Sequence, residues 1–328
     1  MSPAIRTLLL ALSLLTRPAC ALMAGAPPDA PDARIIAASA LSEWPGLGRV
    51  VTAHGQFCGV AVGPRLVLTA THVAGSGRDN PASIRFVPAT HPQSGIPVER
   101  IELLPGYRMP ANDLALLVLA EPLPREVTTA VLLGRPLEAG ETIDLAGAGT
   151  SGHGDRGPSG GSAGPFRQGR NVADLVGAHV PGVPVAGHFL FYDFDGPTGN
   201  GVVGGASLGN GIETLVAGGD SGAPIYLRPS ASEPRRLVGI STAVIGASAG
   251  SGPRFTFGDV GVGTDLTAPA VRAWLMQASA GGIAQSGMVQ GEARLSMSVI
   301  ALLGGLLVLG AGAVAFVRQR AQRGGRTG

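Results

Sequence analysis

From about Arg49 the chain alternates between short apolar runs and breaks made of Gly, Pro and Asn. The runs read GRVVTA, CGVAV, RLVLTA, SIRFV, VERIELL and LALLVLA. Their length and β-branched content predict the strands of an all-β fold. The stretch 151–165, SGHGDRGPSGGSAGP, is too rich in glycine to predict anything but loop. Strand-like runs resume at ETLVA, APIYL and RLVGISTAV. TAPAVRAWL then predicts a closing helix, with Thr267 as N-cap and Pro269 in its first turn.

Two apolar runs at the ends differ in kind. Residues 1–21 carry Arg6, an apolar stretch from Leu8 to Leu15 and the small-residue triplet Ala19-Cys20-Ala21, which predicts a secretory signal peptide cleaved after Ala21. A lipid-anchored Cys20 is the rival reading, and Arg17 disfavours it. Residues 295–317 are apolar apart from Ser296 and Ser298, and as a helix they would reach about 34 Å, enough to cross a bilayer core. Arg318, Arg320, Arg323 and Arg326 follow at once, which predicts a basic cytoplasmic tail at 318–328. An anchor and a removable sorting signal both fit this tail. The expected organisation is a signal peptide (1–21), a Pro- and Ala-rich unstructured leader or propeptide (22–34), a folded domain (35–278), a spacer (279–294), the transmembrane helix and the tail. The domain is expected outside the cytoplasm.

Composition narrows the choice further. The 52 glycines and the 4% aromatic share suit short strands and turns. All 24 basic residues are arginine and the formal net charge is only +2, so nothing calls for nucleic acid as a partner. Once residues 1–21 are gone, Cys58 is the one cysteine left; no intrachain disulfide is expected, and Cys58 reads as a small buried hydrophobe. Asp193, Asp195 and Asn200 cluster in FYDFDGPTGN, but two carboxylates suit a solvated loop better than a calcium site. No metal or cofactor is expected.

Ser221 sits in LVAGGDSGAPIYL, flanked by Asp220 and Gly222. Glycine, aspartate and serine are also what tight turns recruit. A serine nucleophile needs a base within reach and a third group to orient that base. Of the six histidines, His72 alone stands where a strand-like run, RLVLTATHVA, fixes a side chain at its end. Asp113, in ANDLALLVLA, stands where a polar turn enters an apolar run, a place where a carboxylate can be partly buried.

VLTATH, NDLALL and GDSGAP resemble, in that order, the histidine, aspartate and serine motifs of the trypsin/chymotrypsin-like serine proteases. GAGTSG, LVGIST and GVGTDL extend the similarity over roughly residues 35–278. The resemblance implies a chymotrypsin-like double antiparallel β-barrel with a C-terminal helix, and a serine endopeptidase acting on protein or peptide substrates through an acyl-enzyme. Ser221 would be the nucleophile, His72 the base and Asp113 its orienter, with the N–H groups of Gly219 and Ser221 as oxyanion hole. By the same resemblance Asp220 would receive a newly cut N-terminus. Arg34-Ile35 offers such a cut, making Ile35 the amine and calling for a separate activating protease, although Ala37-Ala38 stand where the family has two glycines. Leu215, six residues before Ser221, would floor the specificity pocket and favour cleavage after apolar residues. The alternative is a catalytically inactive, protease-like binding protein displayed on the membrane.

Overall fold

The apolar runs after Arg49 become a closed barrel. The computed structural model describes residues 22–75, 79–177, 186–199, 202–230, 232–246 and 255–286. Leu22–Ala24 form β1, and the barrel follows as β2 (Leu47–Thr52), β3 (Gly55–Gly63), β4 (Leu66–Thr69), β5 (Arg85–Pro88), β6 (Ile96–Leu103) and β7 (Ala115–Leu119). Its strand order is β2-β3-β4-β7-β6-β5, and antiparallel pairing of β5 with β2 closes the ring. Closure leaves no open edge. Inward side chains such as Val50, Val67, Ile84, Phe86 and Leu117 fill the interior.

The second half holds β8 (Thr142–Gly147), β9 (Ser151–His153), β10 (Gly157–Pro158), β11 (Arg167–Val172), β12 (Leu175–Gly177), β13 (Phe189–Asp193), β14 (Pro224–Leu227), β15 (Arg236–Ile245) and β16 (Val260–Asp265). Seven of these form one sheet in the order β11-β8-β14-β15-β16-β13-β12, every neighbouring pair antiparallel. Leu145, Tyr192, Phe194, Ile225 and Val238 pack on its inner face. The result is an all-β, double-barrel-like architecture, with the first barrel closed and the second a curled sheet. A third apolar cluster, including Trp44, Leu68, Leu116, Tyr226 and Ile240, lies where the two halves meet.

Several expectations fail. The leader 22–34 is not unstructured: Leu22, Met23 and Ala24 are fully buried, β1 pairs in parallel with β9, and Pro31–Arg34 form a 3-10 turn. The glycine-rich stretch 151–165 is not all loop, because its first residues supply β9 and β10 to the small sheet that β1 joins. ETLVA forms no strand and makes only isolated bridges, at Glu213 and Leu215. The helix α1 (Pro269–Ala278) has Ala268 as its N-cap, without a side-chain bond. Thr267 instead donates its hydroxyl to Asp265 and accepts the N–H of Leu137. The domain also runs past residue 278: Ile283 is buried, the Leu132 N–H donates to Ala284 O, and the Leu132 carbonyl accepts the Ser286 N–H. Asp193 and Asp195 are buried rather than solvated, while Asn200 lies outside the described residues. So do the expected signal peptide, transmembrane helix and basic tail. Among the described residues no helix is long and apolar enough to cross a membrane.

Candidate active site

His72 follows the end of β4, and Asp113 precedes β7, the strand paired with β4. That pairing brings the two side chains together. Asp113 is fully buried; one carboxylate oxygen accepts the His72 backbone N–H at 3.0 Å, and the other meets His72 Nδ1 at 2.6 Å. Two points of attachment fix both the imidazole plane and its tautomer: Nδ1 carries the proton toward the carboxylate, leaving Nε2 basic. The imidazole is about a quarter exposed, open to the cleft.

Ser221 rides on a turn between 217 and 223, held from both halves of the molecule. Its carbonyl accepts the N–H of Cys58 from β3 at 2.9 Å, and Gly222 N–H donates to Ser241 on β15 at 2.8 Å. Gly222 has φ +81°, and a Cβ there would meet Cys58 O and Thr69 Oγ1 at 2.2 Å. Only glycine satisfies both demands. Gly219 has φ +96°. Among the described residues neither its N–H nor that of Ser221 has a protein acceptor, so the two donors are available to a substrate oxyanion.

Asp220 points the other way, into the protein. Its oxygens accept the N–H groups of Gly149 at 2.7 Å and Ala217 at 2.9 Å. Burial pushes its carboxyl up to about 6, against the pull of backbone N–H groups from Ala217, Gly149, Leu22 and Ala148. In the intact chain the Leu22 backbone N–H thus reaches this carboxylate, while Ile35 lies elsewhere. Ile35 is exposed, its N–H donates to Asp32 O, and it bridges Arg167. Arg34 is buried, bound to Asp29 and to the carbonyls of Ile212 and Glu213. A protease cutting after Arg34 would first have to extract that side chain.

His72 and Ser221 line one cleft of about 400 Å³ with Val216, Val244, Phe255 and Phe257. Leu215 does not reach it; fully buried, it packs in the core and accepts the N–H of Met23 at 2.9 Å. Its neighbour Val216 lines the cleft instead. The aromatic wall from Phe255 and Phe257 and the buried Asp259 at its end were missed. Their only sequence signal was an aromatic pair in a glycine-rich segment. No group of side chains suited to holding a metal occurs among the described residues.

A family model described as Trypsin matches residues 38–161, a range that includes His72 and Asp113 and ends before Ser221. The match supports a trypsin/chymotrypsin-like serine protease family, a class of hydrolases that acts on protein or peptide substrates. None of the curated proteins matches the chain.

Proposed function

We propose that the protein is a serine endopeptidase in which Ser221 attacks the scissile carbonyl. His72 Nε2 takes the hydroxyl proton and later delivers it to the leaving amine, while Asp113 stabilises the imidazolium. The N–H groups of Gly219 and Ser221 receive the negative charge that builds on the carbonyl oxygen. Water then hydrolyses the acyl-enzyme by the same proton relay run in reverse. The observation that carries this reading is the 2.6 Å His72–Asp113 contact, opening onto the cleft that Ser221 also lines. The test is labelling by a fluorophosphonate: wild type is expected to take one adduct at Ser221, and Ser221→Ala none. A wild-type protein that resists the probe while still capturing a protein ligand would be an inactive, protease-like binder.

Apolar walls from Val216, Val244, Phe255 and Phe257 support cleavage after apolar residues, because an arginine side chain would lose its water against them. A peptide library is expected to return apolar residues at the cleaved position. A preference for arginine would overturn that and point to the Asp259 carboxylate as its partner. Export and a C-terminal tether complete the proposal, supported by the apolar runs 8–15 and 295–317 and by the arginines after the second.

A further inference from the structure

The buried start of the described chain has no role in the scheme above. Leu22, Met23 and Ala24 are wholly inaccessible, an unusual fate for residues expected to begin a loose leader. Bonds on both sides hold them. β1 pairs with β9 in register from Leu22–Ser151 to Ala24–His153, Ser151 Oγ donates to Leu22 O, and Gly154 N–H donates to Ala24 O at 2.8 Å. On the opposite side Met23 N–H donates to Leu215 O at 2.9 Å and Thr214 Oγ1 to Met23 O at 2.5 Å.

This strand ends on Asp220. The Leu22 nitrogen is one of the four backbone donors to that carboxylate, and the neighbouring residue in sequence is Ser221. Among the described residues no arginine or histidine pairs with Asp220. A buried carboxylate held only by neutral dipoles is a costly arrangement that a cation would relieve. Leu22 also has φ +60°, a region that L-residues with a side chain avoid. That torsion exists only while the carbonyl of residue 21 is attached, so cutting the bond abolishes the constraint. Residues 19–21, Ala-Cys-Ala, are the small-residue triplet that signal peptidases cut behind.

We propose that hydrolysis of the Ala21–Leu22 bond by the signal peptidase of the exporting cell is itself the activating cut. Water adds across the bond, residue 21 leaves as a carboxylate on the signal peptide, and Leu22 gains an α-amine that takes a proton. The ammonium, already in place, pairs with Asp220 and fixes the 217–221 turn with the Gly219 and Ser221 N–H groups facing the cleft. Leu22 is then a positioning residue, the segment 22–34 is part of the mature domain, and no second protease is required. The inference rests on the serine-protease reading of Ser221.

Two forms of the otherwise complete chain test it, both purified in detergent. One begins at Leu22, released from a cleavable fusion, and the other keeps a single additional residue, Ala21. The Leu22 form is expected to hydrolyse peptide and to label at Ser221 on the order of 10²–10³-fold faster, the scale on which an oxyanion donor acts. It should also melt at a higher temperature than the Ala21 form, and Asp220→Asn should erase that difference. Equal labelling and equal melting of the two forms would overturn the inference, as would a native N-terminus at Ile35 in protein from a secreting host. A melting difference that depends on Asp220, in a protein that never labels, would instead sink the protease reading and leave the Leu22–Asp220 pair standing.

Discussion

The Asp113 carboxylate spends both oxygens on His72, one on the backbone and one on the ring. An amide in its place keeps the shape but presents an NH₂ to one of the two donors, turning the imidazole toward the wrong tautomer. Asp113→Asn is therefore expected to lower kcat by about 10⁴-fold with little change in KM, as steady-state kinetics would show. Gly222 is the other residue with no substitute. The added methyl of Gly222→Ala meets Cys58 O and Thr69 Oγ1, and its φ is wrong for alanine. Chemical denaturation should register a loss of about 1–3 kcal/mol or more, together with loss of labelling as the serine turn shifts.

At the scale of elements, strand ends position the candidate site and buried pairs brace the strands. Asp144 on β8 is nearly buried; it accepts Arg235 Nε at 2.8 Å and lies 3.3 Å from Arg170 Nε. Arg235 in turn stacks over Trp44 at 3.8 Å and donates to Glu43 O, tying the 38–43 turn to the second sheet. Removing the carboxylate strands a buried guanidinium, so Asp144→Ala is expected to cost about 3–5 kcal/mol, measured by denaturant unfolding. These elements also show what a sequence discloses. The strands of the first barrel, and the candidate-site residues His72, Asp113 and Ser221 that gather at one cleft, were readable because each depends on a short contiguous pattern: an apolar run, or a polar residue at the end of one. The partner of Asp220 was not readable that way. Two apolar residues followed by small ones occur at 22–25 and again at 35–38. Nothing local tells which copy reaches a carboxylate nearly two hundred residues away; in the intact chain it is the first, through the Leu22 N–H. Spacing from Ser221 likewise gives distance along the chain and not the face on which a side chain falls: Leu215 packs in the core and Val216 lines the cleft.

Across the whole molecule, acidic groups sunk in the second half make stability depend on pH. Burial raises Asp174 to about 7, opposed by the Asp193 N–H and reinforced by the Asp193 carboxylate; burial also raises Asp195 and Glu213. A carboxyl with a folded pKa above its unfolded value, about 3.9 for Asp, stabilises the fold most where it is protonated. That contribution is whole below about pH 4 and drains away as pH rises through about 7. Asp174→Asn should thus raise the melting temperature at pH 8 and leave it nearly unchanged at pH 4, as calorimetry at fixed salt would show. Cys58 has a consequence of a different sort. Its sulfur is wholly enclosed and accepts the Ala148 N–H at 3.3 Å, and its own backbone N–H is the one by which β3 clasps the serine turn. In a chain beginning at Leu22 it is the sole thiol, so an alkylating reagent can find it only when the two halves part. The rate of that reaction in native buffer is a clock for the rarest opening of the protein, and it runs without any label having to be introduced.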